Sequence, residues 1–173
     1  MKSLRIALPL LLSFAATAAL AQTSAQKSFD QLKSLAGSWE GKDSEGRPLR
    51  VSFRDAARGS TLMSEIQKEG HDKVMISMIS MIHLDGPNRL LLTHYCSTGN
   101  QPRMAATTSP DGKTITFDFF DATNLATPDA GHFRRVVFTI VDANHHTEEW
   151  NGIDHGKEMK DLFDLHRSEV AKK

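Results

Sequence analysis

The sequence predicts an all-β fold, an antiparallel up-and-down barrel of about ten strands with a short helix that plugs one end. Strand-like runs of apolar and β-branched residues recur from position 38 to position 167, and turn residues interrupt them about every 8 to 14 residues. A helical pattern occurs only before the first of these runs. Tight turns between consecutive strands imply antiparallel neighbours, and closure removes the exposed edges that so many strands would leave.

The first 21 residues are typical of a secretory signal peptide. Lys2 and Arg5 precede an apolar stretch from position 6 to position 20, and Ala19-Leu20-Ala21 is a small-x-small cleavage site. The stretch is shorter than the roughly 20 residues of a membrane span, so we expect cleavage and release. We therefore predict export to the periplasm or the medium, with residues 22–173 forming a single barrel domain.

The net charge and the cysteine content argue against nucleic-acid binding, against binding to anionic membranes and against a disulfide-stabilised fold. Without Lys2 and Arg5, 19 of the 21 basic residues remain against 21 acidic residues, a net charge of −2. This balance gives no electrostatic footprint for nucleic acid or an anionic membrane surface. Cys96 is the single cysteine, so an internal disulfide is excluded. The sequence carries no signal for the oligomeric state.

The predicted helix begins at Ser28, whose side chain would cap it in a capping box with Gln31. Gly37 is placed to end it. The apolar face of this helix consists of Phe29, Leu32 and Leu35. So short a helix is unstable alone, and we expect this face to pack against one end of the barrel.

The strand predictions follow the turn signals. The predicted strands are 38–42, 48–54, 61–67, 73–84, 89–97, 103–107, 114–119, 133–141, 146–151 and 158–167. Asp111-Gly112 is the sharpest hairpin signal. Met75, Met78 and Met81 also fit a helical spacing, but the interleaved β-branched isoleucines favour a strand. The longest link, 121–131, is predicted to be a lid or a loop.

The segment Gly37-Ser38-Trp39 resembles the Gly-x-Trp motif of the calycin superfamily, which includes lipocalins, fatty-acid-binding proteins and bacterial lipocalin-like proteins. The resemblance implies that Trp39 closes the barrel floor and that Arg167 packs across it, a contact worth about 0.5–2 kcal/mol. The later lipocalin motifs and the C-terminal helix of lipocalins are missing. The helix-turn-helix lid of fatty-acid-binding proteins is also missing, because residues 42–48 leave room only for a turn. With ten predicted strands rather than eight, the chain is also similar to the nitrobindins, which are haem barrels.

A polar cluster on an otherwise apolar hairpin supplies the first ligand-binding candidates. His94 and Cys96 share one face of a strand and, with Arg103, could contact a ligand in an apolar lumen. Alternatively, Cys96 packs as a small apolar residue and His94 as a hydrogen-bonded wall residue. A Cys–His nucleophile is disfavoured because the two Cβ atoms would lie roughly 6–7 Å apart.

Later strands supply further candidates. Phe117 and Phe119 share a face and could line or fill the lumen. Glu148 and Trp150 also share a face, which places an acid beside an indole. Arg135, if it faces inward, could hold a ligand carboxylate by a bidentate bond. The alternative places the charged residues outside or at a rim.

The histidines raise the question of haem or metal. His145 and His146 are adjacent, so they face opposite sides of a strand and do not simply share a metal; with His155 they are expected in exposed positions. His166 lies near the C-terminus, where nitrobindin-like barrels carry their haem-ligating histidine, but alternation turns it outward here. We predict no metal or cofactor, with haem on His94 or His166 as the alternative.

The expected function is binding of a small hydrophobic or amphipathic molecule in the lumen. Apolar burial, at about 25 cal/mol per Å², would supply most of the affinity. One alternative is a haem-binding, nitrobindin-like barrel. Another is an enzyme that uses the His94/Cys96 or the Glu148 region, although no complete catalytic set is present. A third is a protein that acts through its outer surface, with a lumen packed shut by aromatic side chains.

Overall fold

A computed structural model describes residues 22–168 apart from 70–72 and 74, so the predicted signal peptide and residues 169–173 lie outside the described residues. The described chain forms one α-helix, one 3-10 turn and ten strands. The elements are α1 (Ser24–Lys33), β1 (Gly37–Lys42), β2 (Pro48–Ala56), the 3-10 turn (Ala57–Gly59), β3 (Thr61–Glu69), β4 (Met75–Leu84), β5 (Leu90–Tyr95), β6 (Gln101–Thr108), β7 (Thr114–Thr123), β8 (His132–Asp142), β9 (His145–Asp154) and β10 (Lys157–Arg167).

The strands form a closed barrel in which each strand pairs with its neighbours in the sequence and β1 pairs with β10. Every pair is antiparallel, so the predicted up-and-down barrel is confirmed. The methionine-rich segment is a strand, with Met75 exposed and Met78 buried. β7 continues to Thr123, which shortens the long link that the sequence predicted.

Helix α1 begins about one turn before the predicted Ser28 cap. The Thr23 side chain accepts a hydrogen bond from the Gln26 amide at 3.2 Å and caps the helix instead. Ser28 lies inside the helix, where its Oγ donates to the Ser24 carbonyl at 2.9 Å and bonds Thr108 Oγ1 at 2.6 Å. Ser28 therefore fastens the helix to β6 rather than starting it.

The helix closes one end of the barrel, called here the plug end. Phe29 and Leu32 are buried on the helix, and Leu35 is buried just after it. The helix contacts β2, β4, β5 and β6, as the prediction of a plugging helix requires. Within the described residues, no helix is both long enough and apolar enough to cross a membrane.

The half of the lumen next to the plug is a packed core. Phe138 contacts Phe53 and Phe117, with ring centroids 6.4 and 5.9 Å apart. The other buried residues of this half include Trp39, Val51, Leu62, Ile82, Leu92, Met104, Ile115 and Leu165. Close-packed side chains leave little room between them, so a binding site within the barrel is expected toward the opposite end, called here the open end.

Candidate functional site

A pocket of about 230 Å³ opens into the barrel at the open end. Its apolar wall consists of Ile76, Met78, Phe133, Trp150, Met159 and Phe163. Its polar lining includes Lys68, Cys96, Ser97, Thr98, His132, Asp154 and Asp161. Pockets for drug-sized ligands span about 300–1,000 Å³, so this pocket suits a smaller molecule or one end of a longer one.

An irregular pairing of β8 with β9 shapes this pocket. The register shifts between Phe133 and Arg135, which is the position of a β-bulge. Phe133 consequently lines the pocket, although alternation from the buried residues Val136 and Phe138 would place Arg134 inward instead, and His132 lines the pocket as well. Gly152 faces His132 and Phe133 on β9, where an added Cβ would lie 2.4 Å from the His132 carbonyl oxygen. Only glycine allows the two strands to approach so closely here.

A charged cluster forms part of the pocket rim. The Lys68 ammonium lies 3.3 Å from the Asp43 carboxylate and also bonds Asp161. Asp43 has a fully buried side chain and accepts a hydrogen bond from Arg47 Nε at 2.8 Å. Burial raises the pKa of Asp43, but hydrogen bonds from Arg47 and Lys68 together outweigh it and hold the pKa below its usual value. The rim thus presents a donor and an acceptor side by side, with their charges largely compensated.

His132 adds a hydrogen-bonding group to the pocket lining. Its Nδ1 lies 2.7 Å from the Ala130 carbonyl oxygen, which can only accept, so Nδ1 carries a proton. In the neutral ring, Nε2 is then an acceptor. The ring packs against Phe119, with centroids 5.1 Å apart.

Polar side chains continue from the pocket wall into the core. The Glu148 carboxylate accepts a hydrogen bond from Trp150 Nε1 at 2.9 Å and bonds His146 Nε2 at 3.2 Å. The side chains of Glu148 and His146 are fully buried. The His146 ring stands edge-on to Trp39, with centroids 4.3 Å apart. This chain of contacts connects the pocket residue Trp150 with the tryptophan at the plug end.

His94 lies behind the pocket wall. Its ring packs against Trp150 and Phe133, with centroids 4.8 and 5.3 Å apart, and Nδ1 lies 2.9 Å from Ser80 Oγ. Burial lowers the pKa of His94 to about 3, so the ring is neutral at physiological pH. Its Nε2 has no hydrogen-bond partner among the described residues. The hydrogen bond of the His94 ring goes to Ser80 and not to Cys96, which lines the pocket separately.

The structure divides the sequence-predicted ligand residues into four groups, and the last of them, Arg103 and Arg135, lies on the outer face. Cys96 and Trp150 line the pocket. His94 and Glu148 lie directly behind its wall, in contact with Trp150. Phe117 belongs to the packed core near the plug, and Phe119 supports His132.

Arg103 and Arg135 lie on the outer face of the barrel, not in the lumen. Arg103 pairs with its cross-strand neighbour Asp121, which raises the pKa of Arg103 through a side-chain hydrogen bond. Arg135 lies 3.7 Å from its cross-strand neighbour Asp118. Opposite charges on the facing positions of β7 satisfy both arginines in water, where a charge avoids the cost of burial.

The predicted lid is tied to a neighbouring turn. Asn100 Nδ2 donates to the Gly131 carbonyl at 2.7 Å, and Asn124 Nδ2 donates to the Gly99 carbonyl at 2.6 Å. These bonds hold both ends of the link between β7 and β8 against the turn between β5 and β6. Gly131, the last residue of this link, lines the pocket.

The residues implied by the Gly-x-Trp resemblance meet at the plug end. Trp39 pairs with Arg167 in the β1–β10 register, and the guanidinium carbon of Arg167 lies 4.3 Å from the indole centroid. Gly37 has a φ of +127°, and an added Cβ would lie 2.9 Å from Arg167 Nη1. Gly37 thus provides both the backbone conformation and the space that the arginine needs.

No family model matches the chain, and the search of curated proteins found no match. Among solved structures, the chain is similar to one from M. tuberculosis. That structure is the crystal structure of Rv2717c. The two share a TM-score of 0.60 and 19% identity, over 82% of this chain and 98% of Rv2717c. This likeness shows the barrel fold alone.

The pocket favours a ligand smaller than haem. His166 has an exposed side chain on the outer face and stacks on His145, while His94 is buried behind the wall. Neither predicted haem ligand lines the pocket. His132 does, but a porphyrin, larger than most drug-sized ligands, would extend well beyond about 230 Å³. Neither His94 nor His166 is therefore placed to bind haem in this pocket.

Sequence reasoning missed Lys68, His132 and Asp161. Lys68 meets Asp161 only because closure of the barrel leaves just β1 and β2 between β3 and β10. Position 68 of β3 is on the same face of the strand as the buried positions 62, 64 and 66. A lysine on this inward face indicates a buried charge that needs a partner, and the sequence contains this signal. His132 lies in phase with the apolar residues Val136 and Phe138, but it precedes the predicted strand, which begins at position 133.

Proposed function

We propose that this chain is an exported calycin-type barrel that binds a small hydrophobic or amphipathic molecule in the pocket at its open end. The observation that carries the proposal is the apolar wall of that pocket, with a compact polar rim on one side. Small-molecule sites commonly combine an apolar cavity with a few oriented polar groups. The packed core beneath the pocket sets its depth.

The rim favours a ligand with an uncharged polar group. Lys68 is already compensated by Asp43 and Asp161, so a charged ligand group would have to displace one of these partners. A hydroxyl or amide could instead accept from Lys68 and donate to Asp161. The ligand class is therefore a small apolar molecule with one such group.

Two observations support the calycin assignment and export. The closed antiparallel barrel begins with Gly37-x-Trp39, and Arg167 covers the indole, as the resemblance implies. The signal-like segment supports export, with cleavage after Ala21. Mass spectrometry of the protein from its own host, which would give an N-terminus at Gln22, tests this part separately.

Native mass spectrometry of gently purified protein tests ligand binding. We expect one additional small mass per chain after purification or after incubation with host lipid extract. A Soret band with the mass of haem would instead support the haem alternative. A chain that stays bare in both preparations would contradict the proposal.

The single cysteine allows the site to be located. N-phenyl-1-naphthylamine is a neutral, apolar fluorescent probe with one N–H group, and we expect its emission to rise on binding. Cys96 lines the pocket, so alkylation with a bulky maleimide should block the probe, and bound probe should slow alkylation. Cys96→Ser is the matched control, which should bind the probe before and after maleimide treatment. Equal probe binding by alkylated and free protein would place the site elsewhere.

A further inference from the structure

Three potential metal ligands meet on the outer face of β9 and β10, near the plug end. His145 Nε2 lies 2.7 Å from Asp164 Oδ1, and His166 Nε2 lies 3.7 Å from the same oxygen. All three ligand atoms lie within 4.8 Å of one another. The site is separate from the pocket, so an inference about it goes beyond the proposed function.

The strand register creates this cluster. His145 and His166 are direct cross-strand partners, and Asp164 precedes His166 by two positions on the same face. Their neighbours His146 and Leu165 are fully buried, which fixes these three side chains on the outside. The two imidazole rings stack with an interplanar angle of 15° and centroids 4.3 Å apart. This stacking holds both Nε2 atoms beside one carboxylate.

We propose that His145, Asp164 and His166 bind a divalent transition-metal ion, with zinc as the best fit. Zinc bonds to imidazole nitrogen and carboxylate oxygen are about 2.0–2.2 Å long, so tetrahedral ligand atoms lie roughly 3.3 Å apart. The observed separations of 2.7 and 3.7 Å bracket this value. Two imidazoles favour zinc, copper or nickel over magnesium or calcium, and a water molecule completes the fourth position.

A hydrogen bond between His145 and Asp164 does not account for the whole arrangement. His166 Nε2 also faces Asp164, and its ring stacks on His145. The stacked rings direct their Nε2 lone pairs along nearly parallel lines, whereas a shared metal ion lies close to the plane of each ring. Metal binding therefore requires the largely exposed His166 ring to turn out of the stack toward the ion.

The test is titration of zinc chloride into the tag-free mature chain by isothermal calorimetry. We expect one zinc ion per chain, and His145→Ala, His166→Ala and Asp164→Asn should each weaken binding by at least about tenfold. Cobalt(II) should give tetrahedral absorption bands that each variant loses. These positions are on the surface, so metal-free thermal unfolding should show that the variants remain folded.

A neighbouring pair provides the matched control. His155 Nδ1 lies 2.9 Å from Asp154 Oδ1 in the turn between β9 and β10, and among the described residues no second histidine joins them in a three-ligand cluster. His155→Ala should leave the zinc affinity unchanged within about twofold. Equal affinities for His145→Ala, His166→Ala and the unmodified chain would overturn the proposal. A zinc dissociation constant above about 100 μM would also overturn it.

Discussion

The Arg167 guanidinium lies over the Trp39 indole, 4.3 Å from the ring centroid, and donates to three backbone carbonyls. Its Nη1, Nη2 and Nε atoms lie 2.8, 3.1 and 3.0 Å from the carbonyl oxygens of Ala36, Ser34 and Ala143. One side chain therefore joins the end of β10 to the segment after α1, to β1 and to the turn between β8 and β9.

Replacing Arg167 tests how much these contacts contribute to the free energy of unfolding. Arg167→Met keeps most of the side-chain stem but removes the charge and all three donors, and should lower the free energy of unfolding by about 2–4 kcal/mol. Arg167→Lys should lose less, because it keeps a cation near the indole. Urea unfolding measures both. Arg135→Met, which removes an exposed ion pair, is the control, and its free energy of unfolding should stay within about 0.5 kcal/mol of that of the starting protein. Equal losses of stability at positions 135 and 167 would contradict the prediction.

Gly37→Ala should be destabilising through the same contacts. The backbone at +127° disfavours any side chain, and the new Cβ would press on Arg167. We expect a loss of about 1–3 kcal/mol in urea unfolding. In the Arg167→Met background the loss should be smaller, because only the backbone strain remains; a double-mutant cycle measures the difference. Simple additivity would show that the glycine and the arginine act independently.

Glu148 should be required for the buried polar contacts. Glu148→Leu leaves Trp150 Nε1 and His146 Nε2 without their acceptor, which should cost about 3–5 kcal/mol. Glu148→Gln retains one acceptor oxygen for Trp150 and should cost less. Urea unfolding with tryptophan fluorescence measures both variants. A Glu148→Leu variant as stable as the starting protein would show that the carboxylate does not stabilise the barrel.

Burial of neutral His94 predicts a pH-dependent stability. Unfolded histidine takes up a proton below about pH 6.5, whereas folded His94 stays neutral down to about pH 3. Between these values the unfolded state binds more protons, so His94 lowers stability as the pH falls, by up to about 1.4 kcal/mol per unit. His94→Gln removes this contribution. As the pH falls from 7 to 4.5, the free energy of unfolding of the variant should therefore rise relative to that of the starting protein. Parallel curves in urea unfolding would contradict the prediction.

The rim charges should set ligand selectivity. The probe 8-anilinonaphthalene-1-sulfonate has the body of N-phenyl-1-naphthylamine with one added sulfonate, so the two probes report on charge alone. Asp161→Asn removes a carboxylate from Lys68 and should strengthen sulfonate binding by about 3- to 10-fold. Lys68→Met should weaken it. Fluorescence titration measures both, and a change shared equally by the neutral probe would indicate an altered pocket shape instead.

Alternation and turn chemistry made most of the barrel predictable. Phe163 and Leu165 on one face, with His166 on the other, gave the inward and outward sides of β10, and the structure has this arrangement. The helix existed where predicted, but Thr23 rather than Ser28 caps it, because either hydroxyl residue offers an acceptor to a first-turn amide.

The site was less predictable because it depends on departures from regularity and on distant neighbours. The bulge after Phe133 turns Phe133 rather than Arg134 toward the pocket, and strict alternation contains no record of a bulge. Arg103 and Arg135 were possible lumen residues when considered one strand at a time. Their outward direction follows from Asp121 and Asp118, which become partners only once the register of β7 is known.

Closure of the barrel has a consequence for how the chain folds. Each pairing from β1–β2 to β9–β10 joins strands that are consecutive along the chain, whereas β1–β10 brings Trp39 together with Arg167. Local hairpins can form early, but the long-range closure bears the largest loop entropy and has to wait for β10. Until then β1 and the last strand to have paired both present open edges that can pair with other chains. Protection from aggregation is therefore acquired only when β10 has paired with β1.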